Sequence, residues 1–93
     1  MGKYSLELSR QAQKELQAHY KSGNKATIKR IEVIFEELAE HPFTGAGHPE
    51  ALKYDMTGYW SRQLNKKDRL VYRVLDDLVS VFVVSAIGHY EDK

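Results

Sequence analysis

The sequence predicts an α+β domain, a helical hairpin packed on an antiparallel sheet in the order β-α-α-β-β-β, with residues 1–93 as one domain. Three features predict it. Residues 3–8 alternate in polarity at the period of a half-buried strand. Residues 10–40 space their apolar side chains three and four apart, and residues 59–86 return to β-branched and aromatic runs. A chain of 93 residues buries only about 60% of the surface its unfolded form exposes, and 42% apolar content suffices for one such core.

In the first strand Tyr4, Leu6 and Leu8 share the inward side. Ser9 then caps a helix over about 10–22 in which Ala12, Leu16 and Tyr20 recur every fourth residue, and Gly23 supplies its left-handed C-cap. Asn24 caps a second helix, with Ile28, Ile31, Ile34, Phe35 and Leu38 as its buried stripe and Lys29, Glu32, Glu36, Glu37 and Glu40 outside. His41-Pro42 stops it. Because only Gly23-Asn24 separates the helices, they form a tight hairpin over one sheet face. Residues 42–58 hold both prolines and three glycines, which predicts an irregular loop. Residues 59–64, 69–75 and 78–86 read as strands, the last two joined at Asp76-Asp77 as a short hairpin. Trp60 is assigned to the core.

Charge is unevenly placed although the net value is only +1. Residues 1–30 carry seven Lys/Arg against two Asp/Glu, residues 31–50 carry acids alone, and residues 51–75 carry six basic residues against two acidic ones. Such polarity can steer an anion, and it equally suits solubilising surface elements. The chain has no cysteine, no apolar stretch of membrane-spanning length and no signal-peptide pattern at its start, so a cytoplasmic location is expected.

The second half spaces a carboxylate, two cations and an imidazole, Glu50, Arg62, Arg69 and His89 beside Tyr90, through the expected sheet. Without metal-spaced histidines or a glycine-rich phosphate loop, these residue types point to acid–base cleavage of a phosphodiester with no metal or other cofactor. Each has a plainer alternative. Glu50 fits a solvated loop acid, Arg69 a strand-mouth ion pair with Asp68, and His89 a chain tail. Tyr90 fits a base-stacking group or the closure of a small core equally well. The other histidines are expected on a helix surface (His19), at a helix C-terminus (His41) and in a loop (His48).

The stretches Thr44-Gly45-Ala46-Gly47-His48-Pro49-Glu50-Ala51-Leu52-Lys53, Gly58-Tyr59-Trp60-Ser61-Arg62, Asp68-Arg69-Leu70-Val71-Tyr72 and His89-Tyr90 resemble the YoeB (Txe) branch of the RelE toxin superfamily. The resemblance runs from about residue 42 to residue 90. It implies the RelE-like fold, two helices on a twisted antiparallel sheet, and a toxin that cleaves mRNA in the A site of the 70S ribosome. It also implies neutralisation by a YefM-like antitoxin and a homodimer as one assembly state.

By motif, the resemblance gives Glu50 the role of general base toward the 2′-hydroxyl and Arg69 that of transition-state cation. His89 becomes the general acid for the 5′-oxygen and Tyr90 the terminal tyrosine of the site. Arg62 becomes a phosphate contact, and Lys53 and Gln63 fall on the RNA-binding face. The expected products are a 2′,3′-cyclic phosphate, opened in part to a 3′-phosphate, and a 5′-hydroxyl. The chain departs from the pattern at Gln63, where close relatives often carry a second Arg, at Gly88, which replaces a bulkier residue, and in the added tail Glu91-Asp92-Lys93. A non-catalytic RNA- or ribosome-binding module using the same cations is the alternative function.

Overall fold

The computed structural model describes residues 3–75 and 80–87. Its elements are β1 (Ser5–Leu8), α1 (Arg10–Ser22), α2 (Lys25–Glu40), β2 (Glu50–Ala51), a 3₁₀ turn (Tyr54–Met56), β3 (Tyr59–Gln63), β4 (Arg69–Leu75) and β5 (Ser80–Ser85). Both helix starts are capped as expected. The Ser9 hydroxyl accepts from the Ala12 amide at 2.9 Å, and the Asn24 side chain accepts from the Thr27 amide at 3.1 Å. Gly23 ends α1 at φ 74°, a left-handed conformation that costs glycine nothing.

The five strands form one sheet in the order β1-β5-β4-β3-β2. β2 to β5 pair antiparallel, but β1 runs parallel to β5, with Ser5 opposite Ser80 and Leu8 opposite Val83. The expectation of a wholly antiparallel sheet is corrected at that edge. The helical hairpin and the β2–β4 meander lie between β1 and β5 in the chain, and a connection of that length lets the two strands point the same way. Residues 42–58 are less irregular than expected, because Glu50–Ala51 pairs with Ser61 and Trp60. The Asp76-Asp77 hairpin lies outside the described residues.

Ala12 and Leu16 of α1 and Ile31, Ile34 and Leu38 of α2 pack on Leu70, Tyr72, Val81 and Val83 of the sheet. Each fully buried Leu, Ile or Val contributes roughly 1.5–3 kcal/mol, so this layer is the main source of stability. Three side chains depart from their expected sides. His19, rather than Tyr20, is the buried residue of the last turn of α1, with Tyr20 47% exposed. Glu37 turns inward against the sheet instead of staying outside.

Alternation along the strands gives the sheet two unlike faces. Trp60, Arg62, Leu64, Leu70 and Tyr72 belong to the helix side, where Trp60 packs on the core and tilts against Phe43 at 4.9 Å. Tyr59, Ser61 and Gln63 of β3, opposite Arg73, Val71 and Arg69 of β4, belong to the other face.

Candidate active site

Glu50, Arg69 and Gln63 come together on that second face, although the first two lie far apart in sequence. β2 sets Glu50 opposite Ser61, β3 sets Gln63 opposite Arg69, and the two pairings bring the carboxylate beside the guanidinium. Arg69 Nη1 lies 3.8 Å from Glu50 Oε1 and donates to Ser61 Oγ at 3.5 Å. With side chains 28% and 62% exposed, the Arg69–Glu50 pair is worth at most about 1 kcal/mol to the fold. Both groups are therefore available to a ligand at little cost in stability.

His48, Pro49, Glu50, Gln63 and Arg69 line a cleft of about 430 Å³. A larger open depression of about 490 Å³ lies among Glu36, Glu37, Ala39, Glu40 and His41. Its acidic lining repels a phosphate, so the Arg69 cleft is the candidate site. His48 and Pro49 are site residues that the sequence reading missed. His48 holds φ at 53°, a conformation uncommon outside glycine, and such positions gather at functional sites. Arg30 of α2 also reaches the cleft's border, donating to the Gln63 carbonyl at 3.4 Å.

Gly47 joins the loop to the sheet. Its carbonyl accepts from the Gln63 amide at 2.6 Å, its φ is 83°, and a Cβ there would stand 2.8 Å from the Gln63 carbonyl oxygen. Only glycine lets the two backbones approach so closely in this conformation.

The structure corrects the role expected of Arg62. Its side chain is wholly buried on the helix side and donates to Glu37 Oε1 at 2.6 Å and to the carbonyls of Thr44, His41 and Ala46 at 2.7, 3.2 and 3.3 Å. Its Nε donates to the Tyr72 hydroxyl at 3.2 Å, which in turn donates to the Pro42 carbonyl at 2.7 Å. A buried guanidinium whose N–H donors are taken up by these acceptors cannot also serve a phosphate. Strand alternation turns Arg62 to the face opposite Ser61, away from the cleft.

Arg62 instead clamps residues 41–46, the loop that leads to Glu50. Glu37 completes the clamp by accepting from the Ala46 amide at 2.8 Å. Burial raises the Tyr72 phenol above its ordinary pKa of 10.0, an effect opposed by the hydrogen bond and charge of Arg62.

Gln63 lines the cleft, whereas Lys53 lies exposed beyond β2 and outside the cleft lining. His89 and Tyr90 lie outside the described residues. The chain just before them is tied to α1. Glu15 Oε1 accepts from the Ala86 and Ile87 amides at 2.7 and 3.0 Å, and His19 Nε2 bonds the Ala86 carbonyl at 2.7 Å. A carbonyl only accepts, so Nε2 carries the proton. The signal for His19 was in the sequence, since positions 12, 16 and 19 follow the i, i+4, i+7 stripe more closely than 12, 16 and 20 do.

The fold has counterparts among solved structures. The YoeB dimer from Staphylococcus aureus superposes with a TM-score of 0.79 at 30% identity, covering 95% of this chain and 99% of that one. The heterotetrameric YoeB-YefM toxin-antitoxin complex from the same organism gives 0.76 at 31% identity, covering 94% and 98%. The class so defined is the toxins of bacterial type II toxin-antitoxin systems. Residues 9–90 match the family described as YoeB-like toxin of bacterial type II toxin-antitoxin system. Toxin YoeB of Synechocystis sp. is 38% identical over 72 residues, 77% of this chain and 81% of the relative. The chain belongs to the YoeB-like toxin family.

Proposed function

We propose that this toxin is a ribosome-dependent mRNA endoribonuclease that cuts in the A site by acid–base transphosphorylation without a metal. The observation that supports it most is the meeting of Glu50 and Arg69 in one solvent-open cleft, base and cation 3.8 Å apart. Glu50 takes the proton of the 2′-hydroxyl, whose oxygen attacks the adjacent phosphorus. Arg69 holds the developing negative charge of the phosphorane, and its planar fork suits that task. His89, by its place in the family motif, gives a proton to the departing 5′-oxygen, and Tyr90 braces the phosphate.

The products are a 2′,3′-cyclic phosphate, opened in part to a 3′-phosphate, and a 5′-hydroxyl. DNA lacks the nucleophile and survives. The ribosome orients the flexible strand for in-line attack, so naked RNA is a poor substrate.

A toxin that cuts translating messages needs an inhibitor in its own cell. The S. aureus relative forms a complex with YefM, and a YefM-type antitoxin is proposed here, with a homodimer like that of the same relative. The site of action is the cytoplasm, where translating messages are; no helix among the described residues is long and apolar enough to cross a membrane.

Purified protein incubated with programmed ribosomes and with naked mRNA, followed by mapping of the new 5′ ends by primer extension, tests this reading. Cuts confined to the A-site codon support it. Ribosome binding with no cut would leave a binding module instead, and equal rates on both substrates would leave an ordinary ribonuclease.

A further inference from the structure

We propose that Tyr59 and Arg73 form a second RNA subsite that takes a nucleotide of the message roughly two positions from the bond that is cut. This rests on the nuclease reading above and extends it along the sheet. Gln63 opposite Arg69 marks the cleft, and Tyr59 opposite Arg73 lies four residues further along the same two strands on the same face. At the rise of a strand that is a separation of about 13 Å, within the reach of a short extended piece of RNA leaving the cleft.

The pair is built for such a ligand. Arg73 is exposed, and its guanidinium carbon stands 5.8 Å from the centroid of the half-buried Tyr59 ring, within cation–π range. Among the described residues no carboxylate pairs with Arg73. The acid in the same row, Glu7, lies two strands away beyond Phe82 and accepts from Ser80 Oγ at 3.4 Å. A guanidinium laid over a ring leaves its outer side open for a base to stack on, and its N–H groups open for a phosphate. Arg73 also returns to this face a positive charge that Gln63 withholds.

The test uses programmed ribosomes at sub-saturating toxin and messages with one abasic ribose at successive positions on either side of the cut. Wild-type protein is expected to lose rate on the order of tenfold at one position, roughly two nucleotides from the cut, because one stacked base is removed. Arg73→Gln and Tyr59→Leu should cut the intact message more slowly by a similar factor and lose nothing more at that position. Lys14→Gln, which removes a charge from the exposed side of α1, should follow wild type. Variants that keep the wild-type abasic profile would overturn the subsite. A loss spread evenly over all positions would overturn it too, since it marks unspecific charge.

Binding of a labelled single-stranded oligoribonucleotide to the free protein separates this proposal from the nuclease reading. Arg73→Gln should bind more weakly, with a salt slope shallower by about one. Weaker binding, with no cutting by any variant, keeps the subsite and removes the nuclease; equal binding removes the subsite.

Discussion

Arg62 Nη1 meets Glu37 Oε1 at 2.6 Å, with the Arg62 side chain wholly buried and that of Glu37 23% exposed. The pair ties α2 to β3 and, through the carbonyls of His41, Thr44 and Ala46, sets the path of the loop that ends at Glu50. The cleft on one face of the sheet is thus shaped by an ion pair on the other.

Arg62→Ala should destabilise the fold by about 3–5 kcal/mol, because it leaves Glu37 and a set of loop carbonyls without their donor. That is a large part of the 5–15 kcal/mol, roughly, that holds a domain of this kind. Urea unfolding followed by circular dichroism measures it. Glu37→Gln should cost less, since the amide oxygen still accepts from Arg62 and Ala46. A midpoint unchanged in Arg62→Ala would show that the clamp contributes nothing.

Glu50→Gln, Arg69→Ala and His89→Gln should each lower A-site cleavage by roughly 10²–10⁴-fold. The first two should leave the unfolding midpoint nearly unchanged, because their pair is solvent-exposed. Rates come from single-turnover cleavage on programmed ribosomes. Wild-type rates in all three variants would remove the proposed chemistry, and activity lost together with the fold would reassign these residues to structure.

Gly47→Ala and Gly23→Ala share a left-handed backbone and differ in their surroundings. The Cβ at 47 would stand 2.8 Å from the Gln63 carbonyl, whereas nothing lies within 4 Å of the one at 23. Gly23→Ala should therefore cost only the conformational term, about 1 kcal/mol. Gly47→Ala should cost more and also slow cleavage, because the loop must move off β3 and take His48 and Glu50 with it. Equal unfolding midpoints for the two variants would deny the close approach at Gly47.

Tyr72→Phe should cost roughly 1–3 kcal/mol, since it leaves the Pro42 carbonyl without its donor and Arg62 Nε without its acceptor. It should also change the response to alkali. The folded pKa of Tyr72 is raised, so its contribution is complete below the unfolded value of 10.0 and is lost as pH rises from there through the folded pKa. The stability of wild type minus that of Tyr72→Phe should be flat below that point and fall above it. A difference that grows with pH would reverse the sign assigned to burial.

Local pattern in the chain was enough for both helices and for the strands β1, β3 and β4. Ser9, Gly23 and Asn24 mark helix ends through hydrogen bonds and backbone freedom that act within a few residues, and the apolar stripe of α2 follows from its own period. Family motifs named Glu50 and Arg69 before any contact between them was visible. Motif spacing also misled, because Arg62 follows Ser61 directly and strand alternation turns neighbours to opposite faces.

Long-range pairing decided the rest. β1 lies parallel to β5 because the intervening chain is long enough to bring it round, and β2 exists only because β3 offers Glu50–Ala51 an edge. Two residues with no steric need of a partner make no pattern of their own. The inward turn of Glu37 likewise depends on where Arg62 arrives, from 25 positions away, and the partner of the buried His19 on where Ala86 arrives, from 67 positions away. Periodicity tells a chain which residues leave water, but the partner of a buried charge is settled only when distant strands close around it.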